Sequence, residues 1–315
     1  MKLSEKEIVA LAHGYIEYEI TDKGLVFYKY TKRQRDYFKG WNEFFYRSTH
    51  STNSVIIKFE TDSSFVEFSI CSDKYSGATI DVYQDNVMTS SFRATDDGVE
   101  SRTFYCELKK GVKTVSIYLP SGMQSIITSM VIEDNSYAKP VTRDGKKVLF
   151  LGDSISQGYG CEYTSLTYVN ILTSLGGFNT LNQGLGGFTF DENFVDDLDD
   201  FKPNIVISEF GTNGYLKEEF KESAIKYHKR LDELYSDIPI VAITPIWRAD
   251  MHEEEFYEAS KFLKDLFLQY KNIRTIDGMN LTPHLRSFHF DPVHPNSLCA
   301  SYFAMSLYKQ IKDLI

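Results

Sequence analysis

The chain lacks several features that would fix a function class at once. Its four cysteines (Cys71, Cys106, Cys161 and Cys299) lie far apart with no C-x-x-C pair, which excludes a zinc knuckle and a disulfide framework. No stretch approaches the roughly 18 uncharged apolar residues of a membrane span. The opening MKLSEKEIVALAHGY carries charge through its first turns, and its apolar run is too short for a signal h-region, so a cytoplasmic protein is expected. Without a leader, the acceptor-like Asn280-Leu281-Thr282 is read as chance. Positive charge is also in short supply. Lys and Arg number 34 against 44 Asp and Glu, and the net charge of −10 argues against a general binder of nucleic-acid backbone.

What is present describes a folded protein. A hydrophobic share of 42% with 25% charged residues excludes bulk disorder. At about 150 residues per domain, 315 residues favour two domains over one. The 21 Tyr and 23 Phe favour pleated, half-buried surfaces, and core filling is their expected use ahead of lining a sugar site.

The two halves differ in period. From about 14 to 133 apolar residues alternate every second position, as in Val55-Ile56-Ile57-Lys58-Phe59, Phe65-Val66-Glu67-Phe68-Ser69-Ile70, Thr79-Ile80-Asp81-Val82-Tyr83 and Val115-Ser116-Ile117-Tyr118-Leu119. Turn-formers at 62–64, 73–77, 96–98 and 110–111 separate them, which predicts an antiparallel β-sandwich or jelly roll. A short helix over 4–12 leads in, with Ser4 as N-cap and Glu7 as its capping-box partner. The polar run at 135–146 reads as a linker, giving an N-terminal sandwich domain over 1–138, a linker over 139–146 and a second domain over 147–315. In the second domain, strands at 147–151, 180–182, 204–210, 239–244 and 273–277 alternate with helical periodicity at 163–175, 217–235, 253–270 and 296–315. That alternation predicts a parallel sheet covered on both faces, an α/β fold of three layers.

Ligands of an open parallel sheet bind beyond the carboxyl ends of its strands. The first three strands run into Gly152-Asp153-Ser154, Gln183-Gly184-Leu185-Gly186-Gly187 and Gly211-Thr212-Asn213 in turn, and Asp291-Pro292-Val293-His294 precedes the last helix. These residues suit acyl transfer through a serine. Ser154 needs a base and His294 is the natural one; Asp291 can hold the other ring nitrogen. The N–H of Ser154, the N–H of Gly187 and the side-chain amide of Asn213 are the candidate donors to an oxyanion.

In this order the four segments resemble the conserved blocks of the SGNH (GDSL) hydrolase superfamily, over roughly residues 147–315. The resemblance implies a flavodoxin-like α/β/α domain, with Ser154 as nucleophile, Gly187 and Asn213 completing the oxyanion hole, and Asp291 and His294 as triad partners. The longer strings GDSISQGYG from Gly152, NQGLGG from Asn182, TPIWR from Thr244 and HPN from His294 resemble a branch that pairs an N-terminal β-sandwich with the SGNH domain, similar in layout to carbohydrate acetyl esterases. One position departs: many relatives carry Asp after the Gly-Thr-Asn, and here it is Gly214.

His284, His289, Asp291 and His294 could suggest a metal cluster, but Pro283, Pro292 and Pro295 break the run, so no helix gathers them and no metal or cofactor is expected. Trp247 and Arg248 come after the fourth strand and serve either rim packing or a pocket wall on an anionic or hydroxyl-rich substrate. Tyr159 opens a stretch to Tyr168 expected to wall the pocket, where bulky side chains favour a short acyl group. The reading is a serine esterase acting on a short-chain, acetyl-like ester of a carbohydrate or small metabolite, with neither nucleic acid nor membrane as partner. The alternatives are an acyltransferase using the same residues and a non-catalytic glycan binder built on the aromatic-rich first half.

Overall fold

A computed structural model describes residues 1–72, 78–94, 101–122 and 124–315. The turns read at 73–77 and 96–98 lie outside the described residues. In the first half the chain runs α1 (Glu5–Leu11), β1 (Ala12–His13), β2 (Glu17–Thr21), β3 (Gly24–Tyr28), α2 (Lys32–Trp41) and α3 (Glu43–Ser48). It continues through β4 (Ile56–Thr61), β5 (Phe65–Ser72), β6 (Thr79–Gln84), β7 (Val87–Arg93), β8 (Ser101–Glu107), β9 (Lys113–Tyr118), β10 (Ser125–Ile132) and β11 (Lys139–Pro140).

Two antiparallel sheets form here, ordered β1-β4-β9-β6-β7 with β11 beside β4, and β2-β3-β10-β5-β8. Period-two alternation makes them a sandwich: Val66, Phe68 and Ile70 of β5 point inward, as do Ile57 and Phe59 of β4, and these pack in one core. The lead-in helix is capped as its sequence requires, with Ser4 Oγ accepting from the N–H of Glu7 and the Glu7 carboxylate accepting from the N–H of Ser4.

The strand reading of 14–133 misses α2 and α3. Thr31 and Gln34 form a second capping box, and Asn42 Oδ1 accepts from Phe44 and Phe45 to start α3. Their aromatic face leaves the sandwich and joins the core of the parallel-sheet half, where Tyr30, Phe38 and Phe45 pack with Phe188 and Phe194.

The second half runs β12 (Lys147–Gly152), α4 (Ser154–Gln157), α5 (Tyr168–Gly176), β13 (Asn179–Gly184), β14 (Ile205–Glu209), α6 (Phe220–Tyr235), β15 (Ile240–Ile243), α7 (Glu253–Phe267), β16 (Ile273–Ile276) and α8 (Ser297–Ile311). The strands pair in parallel in the order β13-β12-β14-β15-β16. Hydrophobic cores on both faces make this an α/β/α layer structure. Helix α5 begins five residues later than its periodicity suggests, because Thr167 caps it through Asn170 N–H and a 3₁₀ turn precedes it. The strand order reverses direction at β12, so the crevice beyond its carboxyl end is the topological switch point. Among the described residues no helix is long and apolar enough to cross a membrane.

Candidate active site

Strand β12 is apolar up to Gly152, where a Cβ would stand 2.1 Å from Ser156 Oγ and 2.7 Å from the Glu209 carbonyl. The chain then turns into α4, with Asp153 as N-cap accepting from the N–H of Ile155 at 2.9 Å. Ser154 is therefore the first helical residue, and its N–H has no acceptor within the helix. Its Oγ lies 2.8 Å from His294 Nε2.

The far side of the imidazole is equally defined. His294 Nδ1 lies 2.7 Å from Asp291 Oδ2, while Asp291 Oδ1 accepts from the N–H groups of Val293 and His294, each at 2.8 Å. Burial alone would raise this carboxyl, but the hydrogen bonds from the His294 N–H, the His294 ring and the Val293 N–H together hold it below its ordinary value. An ionised Asp291 accepts a proton-bearing Nδ1, which leaves Nε2 to accept from the serine hydroxyl. The loop is pinned on both flanks, by Phe290 N–H to the His294 carbonyl at 2.8 Å and by Ala249 N–H to the Pro292 carbonyl at 2.7 Å.

The other two candidate donors, Gly187 and Asn213, lie in the loops that follow β13 and β14. Gly187 has φ +75°, a conformation that glycine adopts without strain, and a Cβ there would be 3.9 Å from the rings of Phe44 and Phe45. Asn213 lies just beyond β14, and its Nδ2 donates to the Phe188 carbonyl at 3.0 Å and to Asp153 Oδ2 at 3.3 Å. Gly214 also has positive φ (+79°), and Thr189 Oγ1 donates to the Asn213 carbonyl at 3.1 Å. Here Thr189 and Asp153, with no acid at 214, hold the asparagine.

The other candidate residues take up supporting positions around this centre. The Tyr159 ring centroid is 4.6 Å from that of His294 and 6.0 Å from that of Phe290, and both aromatic side chains are exposed. Trp247 stacks on His284 at 5.7 Å and meets His289 edge-on at 5.0 Å, so it braces the loop that carries Asp291 and His294. Arg248 binds Asp250 in a two-pronged pair at 2.7 and 3.0 Å and donates to the Thr212 carbonyl at 2.8 Å, directly before Asn213. His284 and His289 face backbone carbonyls, of Met279 at 2.8 Å and of Leu285 and Trp247 at 3.3 Å.

Several polar groups beneath the site carried no motif. Glu209 is fully buried; Ser156 Oγ donates to it at 2.9 Å and stands 2.6 Å from the Tyr168 hydroxyl. Burial raises the Glu209 pKa well above its ordinary value, with the Asp153 carboxyl adding to the effect, and burial pushes Asp153 up to about 7. The first half contributes Lys29, also fully buried, whose Nζ donates to Asn53 Oδ1 and to the Asn182 carbonyl; burial holds its pKa well below the ordinary lysine value. Gln157 Nε2 reaches Ser51 Oγ at 3.4 Å. The visible signal for Glu209 was an acid inside an otherwise buried strand; for Lys29 and Phe44 there was none.

Residues 150–298 match the sequence model of the GDSL-like Lipase/Acylhydrolase family. Comparison with curated proteins gives no significant match. Among solved structures, the chain is similar to the salicylyl-acyltransferase SsfX3 from a tetracycline biosynthetic pathway, with a TM-score of 0.79 and 16% identity over 96% of this chain and 94% of that one. It is similar to a family two carbohydrate esterase from Cellvibrio japonicus (0.68, 14%, 97% and 95%) and to one from Clostridium thermocellum in complex with cellohexaose (0.67, 12%, 82% and 91%). At these identities the likeness is one of fold. The parallel-sheet half of this chain thus matches the GDSL-like lipase/acylhydrolase family across residues 150–298, and the resemblance to the SGNH (GDSL) hydrolases carried by its four motifs stands.

Proposed function

We propose that the protein is a serine esterase that removes a short acyl group, such as acetyl, from a carbohydrate or small metabolite. The observation that carries this reading is the continuous chain Ser154 Oγ, His294 Nε2 at 2.8 Å, His294 Nδ1, Asp291 Oδ2 at 2.7 Å. Ser154 Oγ attacks the ester carbonyl while His294 Nε2 takes its proton, and the oxyanion draws on the N–H groups of Ser154 and Gly187 and on an Asn213 Nδ2 hydrogen given up from its 3.3 Å bond to Asp153. The imidazolium then returns the proton to the leaving alkoxide. Water, deprotonated by the same ring, cleaves the acyl-serine and regenerates the hydroxyl.

The alcohol must leave beside His294, because that ring protonates it. The ring of Tyr159, 4.6 Å from that of His294, and the exposed Phe290 border a neighbouring cavity of about 360 Å³ that reaches Arg93 and Glu162. An aromatic edge with a cation and a carboxylate nearby supports a hydroxyl-rich alcohol. The rings of Phe44 and Phe45 against Gly187 narrow the oxyanion side, which supports a short acyl group.

Ser154→Ala is expected to lower kcat on p-nitrophenyl acetate by about ten-thousand-fold or more, and to abolish labelling by a fluorophosphonate probe. Undiminished turnover in that variant would remove Ser154 from the reaction. Product analysis with and without sugar acceptors separates hydrolysis from acyl transfer.

A further inference from the structure

A second cavity, of about 570 Å³, opens where the sandwich meets the region around α5, and it shares no lining residue with the cavity beside His294. One wall is a cross-strand row: Lys58 of β4 pairs with Ser116 of β9, which pairs with Tyr83 of β6. Tyr118, two residues along β9, lies on the same face, because alternate residues share a face and the intervening Ile117 points into the sandwich core. The rings of Tyr83 and Tyr118 are 5.3 Å apart at 57°. Arg143 enters from the segment before β12.

Lys58 and Arg143 are each half-buried, and among the described residues neither side chain has a carboxylate partner or a hydrogen bond. Asp144 on the rim is exposed and accepts from Thr142 Oγ1 at 3.5 Å. Burial, and then the neighbouring Arg143, lower the Lys58 pKa. His13, which stands 2.9 Å from the Val141 carbonyl, is held at about 4 by burial and by these two cations. Two adjacent cations in a partly dry cleft, with only the exposed Asp144 at its rim and no carboxylate paired to either, are unfavourable in the free protein. An arriving anion would relieve that cost.

We propose that this cavity is a binding site for a small ring-bearing oxyanion, a phosphate or carboxylate ester or acid, held by Lys58 and Arg143 with its ring along Tyr83 and Tyr118. The volume lies within the range of small-molecule sites. The planar guanidinium offers a two-pronged grip and the ammonium a point charge, the pair of functions an oxyanion uses. The site does not depend on the esterase reading.

Isothermal titration of the full chain with inorganic phosphate, glucose 6-phosphate, glucuronate and glucose tests the proposal. Glucose 6-phosphate or glucuronate is expected to bind and glucose not; whichever of the two binds more tightly identifies phosphate or carboxylate as the preferred group. Lys58→Met and Arg143→Gln should each weaken binding roughly tenfold, the loss expected for one charge-assisted contact, and the double variant should abolish it. Ser154→Ala should bind as the wild type does. Lys58→Met should melt no lower than the wild type without ligand, and should lose the rise in Tm that the anion confers on the wild type. Failure of every oxyanion to bind at millimolar concentration, or binding that survives the double substitution or vanishes in Ser154→Ala, overturns the proposal.

Discussion

At Glu209 a carboxyl closes a strand whose other side chains are all buried; Ser156 Oγ donates to its Oε2, and among the described residues no side chain donates to its Oε1. Burial and the nearby Asp153 favour its neutral form, so an amide of the same shape should replace it at little cost. Glu209→Gln is expected to keep activity on p-nitrophenyl acetate within a factor of about three, whereas Glu209→Ala should lower stability by about 1–3 kcal/mol through the lost Ser156 hydrogen bond and the space left in a fully buried position. Denaturant titration and an ester assay on both variants check this. A marked loss in the glutamine variant alone would show that the ionised form is needed. Much of the site was legible at this scale, because Ser154, Asn213 and Asp291-x-x-His294 each lie in a short motif next to a strand end or helix start. The groups beneath it were not. Asp153 meets Asn213, and Lys29 meets Asn182, only after the chain has folded back on itself, and no local pattern encodes those meetings.

Element by element, the sheets obeyed their periods: alternation gave the sandwich, and buried strands between amphipathic helices gave the parallel sheet. Helices α2 and α3 escaped because their apolar residues serve a surface other than the sandwich core, so a period-two reading of their surroundings obscured them. The local signals were nevertheless present, with Thr31 three residues before Gln34, and Asn42 before two aromatics. Phe38 is fully buried with ring contacts to Phe188 at 5.2 Å and Phe194 at 6.3 Å, both in the other half of the chain. Phe38→Ala should cost about 3–5 kcal/mol in global unfolding, and Thr31→Ala about 1 kcal/mol through its cap. If Phe38→Ala left the denaturation midpoint in place, helices α2 and α3 would not be part of the common core.

For the molecule as a whole, the buried His228 and the half-buried His13 are expected to make folding less favourable in acid. His228 is fully buried among Phe190, Tyr227 and Phe267, and burial lowers its pKa from 6.5 to about 4; His13 is lowered in the same direction. Between those two values the unfolded chain takes up a proton that the folded one refuses. Stability from His228 is therefore complete above about pH 6.5 and is lost as the pH falls toward 4, by up to about 3 kcal/mol. Unfolding free energies measured across this range should show a shallower acid decline in His228→Phe. An equally steep decline in that variant would assign the effect to other groups.

The exchange of residues between the halves also bears on synthesis. The aromatic face of α2 and α3 leaves the ribosome early, while Phe188 and Phe194, which cover it, come much later in the chain. At about 5–20 residues per second this interval lasts several seconds at least, during which Tyr30 and Phe38, fully buried in the finished fold, lack the rings that cover them. The first half therefore cannot complete its packing alone, and its aromatic face closes only once the later strands arrive.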